Sequence, residues 1–143
     1  MHLARLKSMP GHFIRRANQI SGGLFAEELG GADLTSVQLI ALAAIADSPE
    51  LDATRVAEMI DFDKATIGGV VERLERKGLI ERAVSKADRR VKTLVMTVAG
   101  RKLLAASMPR VERVQEHLLA PLDETEREVF MDLLRRIVSE AQR

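Results

Sequence analysis

Three potential helix caps in close succession, Thr35, Asp52 and Asp63, followed by one pair of strand-like runs, constrain this chain more than any other feature. A Ser, Thr, Asp or Asn just before a helix accepts a backbone N–H that would otherwise lack a partner. Thr35 opens LTSVQL, where Gln38 at the third helical position can reach back and Leu34 can pack onto Leu39. The helix so begun runs through an almost wholly apolar stretch to Ala46 and stops at Asp47-Ser48-Pro49, so it is expected to be the central buried helix. Asp52 caps ATRVAEMI. After the turn Asp61-Phe62, Asp63 caps KATIGGVVERLERKG, with Ile67, Val70, Val71 and Leu74 on one face and Gly78 closing it. Two short helices around a tight turn form a helix-turn-helix. LIERAV and VKTLVMTV, rich in β-branched residues and separated by SKADRR, then read as a hairpin with a charged tip, which in this position is a wing.

Helices flank this centre. Phe13, Ile14, Ala17, Ile20, Leu24 and Phe25 recur at helical spacing between Phe13 and Leu29, with Gly22-Gly23 weakening the middle and Gly30-Gly31 ending the helix. Thr97 caps a helix carrying Leu103, Leu104, Met108, Val111, Val114, Leu118 and Leu119, in which Pro109 predicts a kink near Ser107–Met108. Asp123 and Glu126 form a capping box for a last helix with Val129/Phe130, Leu133/Leu134 and Ile137/Val138. The expected fold is mostly α with a small β-hairpin wing: one domain, 1–143, with a winged helix-turn-helix at 34–100 and dimerisation helices at 8–30 and 101–143. Packing within the chain could cover the broad apolar stripes outside the centre, but they equally suit an intertwined two-fold dimer built from both termini, which is the expected arrangement. Such a dimer would present two reading heads to a palindromic site with half-sites about one helical turn apart.

The formal net charge of +1 hides an asymmetry. Residues 61–102 hold eleven Lys/Arg against six Asp/Glu, whereas both flanking segments are mildly acidic. A basic centre is the footprint of a polyanion-binding surface, although chance clustering on a solvated surface gives the same pattern. The chain has no cysteine, which excludes thiolate catalysis, thiol redox switching and sulfur-ligated metal sites. His2, His12 and His117 lack the spacing of a zinc site, so no metal is expected. No phosphate loop, nucleophile elbow or Ser/His/Asp grouping points to an enzyme or a cofactor, and Glu124, Glu126 and Glu128 sit where helix starts normally carry acids. The longest apolar run, LIALAAIA, is far short of the ~20 residues of a spanning helix, and the cytoplasm is the expected compartment.

In LTSVQLIALAAIAD, LDATRVAEMIDFDKATIGGVVERLERKGLIER and ADRRVKTLVMTVAG, together with the flanking helices, the sequence resembles the MarR family of ligand-responsive winged-helix repressors. The resemblance spans nearly the whole chain. It implies a homodimer whose second helix of the helix-turn-helix enters the major groove of double-stranded DNA while the wing approaches the minor groove. Carried onto this sequence, the major-groove residues are Lys64, Ala65, Thr66, Gly68 and Gly69. Many relatives have a long polar side chain, often arginine, where this chain has Gly69, so readout is expected to lean on Lys64, Thr66 and DNA shape. Asp88-Arg89-Arg90 is similar to the family's acid-x-arginine wing signature, with Arg90 for the minor groove and Asp88 holding the tip. Arg89, Lys86 and Lys92 are expected on phosphates. Arg73 either contacts a phosphate or pairs with Asp88.

The resemblance also implies release from DNA by a small molecule. SMPGHFIRRANQIS is similar to the first helix of members that govern the breakdown of aromatic acids. His12 and Arg16, four apart, share a helical face, and Met9 lies one turn before His12. These three residues could present a cation, a donor and an apolar wall to an aromatic or lipophilic anion, or they could fringe a dimer interface. The sequence thus reads as a DNA-binding regulator, a repressor relieved by such an anion. Its competitors are an effector-independent or architectural winged-helix protein, and a winged module that binds protein.

Overall fold

Each of the caps forms. In the computed structural model, which describes residues 1–141, Thr35 and Gln38 make a reciprocal capping box, Gln38 N–H to Thr35 Oγ1 at 3.2 Å and Thr35 N–H to Gln38 Oε1 at 3.3 Å. The order is α1 (His2–Lys7), α2 (Pro10–Leu29), a 3₁₀ turn (Gly30–Ala32), α3 (Ser36–Asp47), α4 (Ala53–Met59), α5 (Lys64–Arg76), β1 (Ile80–Val84), β2 (Lys92–Met96), α6 (Val98–Leu118) and α7 (Glu124–Ala141). Two compact units result: Phe25–Val111, and Met1–Leu24 together with the segment from Glu112 onward.

The core lies in the first unit. Helix α3 is apolar on nearly all sides and buries Leu39, Ala41, Leu42, Ala44 and Ile45. Ile67, Val70, Val71 and Leu74 of α5, Val56 and Ala57 of α4, and Ile80, Leu94 and Met96 of the hairpin complete one cluster, which also takes in Leu34. The strands pair antiparallel with Ile80 opposite Met96 and Val84 opposite Lys92. Leu94 N–H also donates to Leu51 O at 2.8 Å, fastening the hairpin to the segment before α4.

Close packing explains one glycine. A Cβ on Gly100 would lie 2.1 Å from the Leu79 carbonyl oxygen, so α6 can start against the α5–β1 connection only without a side chain there. Thr97 seals this corner. Its hydroxyl donates to Gly78 O at 2.7 Å and accepts from Gly100 N–H at 3.0 Å. Gly78, at φ +75°, supplies the left-handed turn that ends α5.

In the terminal unit, Asp123 and Glu126 cap α7 reciprocally at 2.9 and 3.0 Å. Arg127 holds the preceding turn: its Nε donates to Leu119 O and Leu122 O, both at 3.1 Å, and its Nη1 to Glu116 Oε2 at 2.8 Å. Sequence periodicity placed the start of α2 at Phe13, but the helix begins at Pro10, because proline at the first helical position forfeits no hydrogen bond. Helix α1 has no counterpart in the sequence reading, since six residues are too few for a periodic signal. Helix α6 runs unbroken through Pro109.

Candidate nucleic-acid interface

Asp63 sets the start of α5. Its Oδ1 accepts from Thr66 N–H at 2.7 Å and its Oδ2 from the Thr66 hydroxyl at 3.0 Å. The hydroxyl bond first, and the backbone bond second, hold the Asp63 carboxyl below the ordinary aspartate range. With its proton given to Asp63, Thr66 offers an incoming group only lone pairs. Lys64, Ala65 and Thr66 are exposed, while Gly68 and Gly69 are half-buried and a Cβ on either would meet nothing. Among the described residues no packing therefore requires glycine at 68 or 69.

The wing carries an ion pair. Arg90 donates to Asp88 Oδ1 from its backbone N–H at 3.0 Å and its Nε at 3.1 Å, and to Oδ2 from Nη2 at 3.0 Å. The Arg90 side chain, led by its guanidinium, holds the Asp88 carboxyl below its ordinary value, and Asp88 in turn raises Arg90. Asp88 is thus engaged by Arg90, and Arg73 lies exposed on α5. Lys86 and Arg89 line an open groove with Val84 and Ser85, and Lys92 is exposed at the start of β2. All eleven basic residues of 61–102 are exposed, although the Lys77 side chain is held by Asp33 and Gln38.

Sequence reasoning missed Ser85 and Glu50. Ser85, buried at the base of the tip, bonds Glu50 at 2.9 Å and accepts from the backbone N–H groups of Ala87 and Asp88. A serine three residues before an aspartate just past a strand is a turn signal that could have flagged Ser85. Nothing local marks Glu50.

On α2 the structure regroups the effector candidates. His12 Nδ1 accepts from Arg15 Nη2 at 3.1 Å, and its ring meets Phe13 edge-on at 5.5 Å. A cavity of about 300 Å³ is lined by His12, Arg15, Lys7, Leu3, Leu6 and Gly11. Met9 and Arg16 are not among its lining; Met9 is exposed, and Arg16 donates to Gln19 Oε1 at 2.6 Å. Among the described residues no group of three His, Cys, Asp or Glu is placed to hold a metal, and no single helix is long and apolar enough to cross a membrane.

A family model described as the MarR family matches residues 32–91. The transcriptional regulator HosA of Escherichia coli O127:H6 is 33% identical over 134 residues, covering 94% of this chain and 98% of HosA. The chain belongs to the MarR family. As a MarR-family member it is a transcriptional regulator, and its helices and two-stranded hairpin form the winged-helix fold expected from the sequence. Among solved MarR-like structures, Bordetella bronchiseptica BpsR superposes with a TM-score of 0.87 at 30% identity, covering 92% of this chain and 94% of that one. That structure concerns regulation of BpsR's DNA binding by 6-hydroxynicotinic acid. The transcriptional repressor CouR, bound to a 23-mer DNA duplex, gives a TM-score of 0.85 at 25% identity, covering 93% and 94%.

Proposed function

We propose that this MarR-family regulator is a homodimeric repressor that binds a palindromic DNA site and is released by a small aromatic acid or similar lipophilic anion. The observation that carries the reading is the wing: an exposed arginine, Arg90, held in a defined pose by Asp88, in the same unit as an α5 whose capped N-terminus is exposed. A helix N-terminus directs backbone donors and positive potential at phosphate, and Lys64 adds a cation there. Thr66, Ala65, Gly68 and Gly69 face base edges, Arg90 takes the minor groove, and Arg73, Lys86, Arg89 and Lys92 neutralise phosphates. The CouR complex supports DNA as the partner.

Dimerisation is supported by the terminal unit, where Phe13 is 60% exposed, Ile137 58% and Val138 55%. The effector assignment draws support from BpsR and from the cationic pocket around His12, where Lys7 and Arg15 rather than Met9 and Arg16 are the neighbours of His12. An effector acts only by its differential affinity for two dimer geometries, of which one matches the half-site spacing. Selecting duplexes from a random pool and then challenging the complexes with a panel of aromatic acids, 6-hydroxynicotinic acid included, tests partner, symmetry and switch together. A palindromic consensus released by at least one acid is expected. Binding indifferent to every acid would favour the effector-independent reading, and failure to enrich any duplex would leave a protein-binding module.

A further inference from the structure

Ser85 is 7% exposed, although its neighbours Val84 and Lys86 are exposed. Its hydroxyl donates to Glu50 Oε2 at 2.9 Å and accepts from the backbone N–H groups of Ala87 at 3.2 Å and Asp88 at 3.3 Å. Its own N–H donates to Val91 O at 2.9 Å, and Val91 N–H donates to Asp88 O at 3.0 Å. The turn so closed carries the Asp88 carboxylate that holds Arg90. Glu50 is itself constrained: it sits at φ +63°, unusual for a residue with a side chain, and the next residue, Leu51, accepts from Leu94 of β2.

A hydroxyl has one proton, so giving it to Glu50 turns its lone pairs toward the two wing N–H groups. Glu50 touches neither Asp88 nor Arg90 through any of these bonds, yet it fixes the direction in which Ser85 accepts. We propose that Ser85, oriented by Glu50, is a positioning residue for the DNA-contacting arm of the wing, setting the turn from which Asp88 aims Arg90. The proposal rests on the DNA-binding reading above. Without the hydroxyl, the N–H groups of Ala87 and Asp88 would turn to water, and Arg90 would have to be ordered at the moment of binding. That ordering entropy would weaken the complex.

The test is duplex affinity as a function of salt for the full chain and for Ser85→Ala, Glu50→Ala, Glu50→Gln, Arg90→Ala and the double variant Ser85→Ala/Arg90→Ala. Ser85→Ala and Glu50→Ala should each weaken binding about tenfold and flatten the salt dependence by about one counterion per chain. Glu50→Gln keeps an accepting oxygen and should bind like the parent. In the Arg90→Ala background, removing the Ser85 hydroxyl should change affinity by less than about twofold, because coupled residues are not additive. Parent-like binding by both Ser85→Ala and Glu50→Ala would overturn the proposal, as would full additivity with Arg90→Ala or Glu50→Gln falling as far as Glu50→Ala. If Ser85→Ala fails to fold, the Glu50 pair decides, since that side chain is exposed. A parent protein that binds no duplex would instead remove the DNA-binding reading.

Discussion

The two units of this chain treat their apolar residues in opposite ways. All the buried hydrophobic residues except Val114 lie between Phe25 and Val111, in the end of α2, α3, α4, α5, the hairpin and the segments joining them; Val114 lies in the terminal unit. The terminal unit carries Leu3, Leu6, Phe13, Ile14, Val129, Leu133, Ile137 and Val138 exposed along its helices. One unit has a buried core of its own, although Ile40, Met59, Val84, Val95 and Val98 are exposed on it. The other has apolar faces of the kind that monomers rarely leave uncovered, and the proposed dimer would cover them with a second copy of the same helices.

The largest expected effect breaks this contrast from the terminal side. Placing charge on α7 with Phe130→Asp and Ile137→Asp should cost association about 2 kcal/mol or more per site, and sedimentation should show monomers. The same protein should keep its helical signal, because neither residue belongs to the core cluster. From the other side, Leu42→Ala should lower stability by roughly 2–5 kcal/mol, and Gly100→Ala by about 1–3 kcal/mol through the clash with Leu79 O. Denaturant melts at fixed protein concentration check both. A Gly100→Ala protein as stable as the parent would contradict the close approach.

How much of this was legible in the sequence follows from the range of each interaction. Caps act over three residues, so Thr35, Asp52, Asp63, Thr97 and Asp123 could be read directly, and each accepts the expected backbone N–H. Likewise, the basic tip and the Asp88-x-Arg90 spacing are local, and the pair forms. The Glu50–Ser85 bond links positions 35 residues apart, and the Gly100 contact depends on where α6 meets the α5–β1 turn. Neither leaves a periodic trace. On α2, spacing four suggested His12 with Arg16, yet the bonded neighbour of His12 is Arg15, three residues on, and Arg16 turns to Gln19. Helical faces are wide enough that both spacings satisfy the geometry.

A smaller effect sharpens the contrast within the unit that holds the core. Gly68→Ala and Gly69→Ala meet no steric obstacle among the described residues, so each should raise stability by up to about 1 kcal/mol through helix propensity. If α5 lies against base edges, the same substitutions should weaken duplex binding, separating stability from function in one pair of variants. Thermal melts beside binding isotherms provide the comparison.

The smallest expected effect concerns pH. Asp63 and Asp88 both titrate below their ordinary value in the folded chain, so their hydrogen bonds stabilise it above the ordinary aspartate range and lose that contribution only as pH falls through the lowered values. Arg90, raised by Asp88, keeps its charge throughout. The local structure of the wing should therefore hold constant across about pH 6–8, as NMR shifts of Asp88 and Arg90 would report; a change there would separate the pair from the electrostatics assigned to it.

The most direct measurement is the stoichiometry of binding to a selected palindromic duplex and to its isolated half-site, by sedimentation at physiological salt. The proposed dimer, with its core in one unit and apolar faces on the other, predicts two chains per palindrome, loading together, with much weaker binding to the half-site. One chain per duplex, with equal affinity for the palindrome and its half, would contradict it.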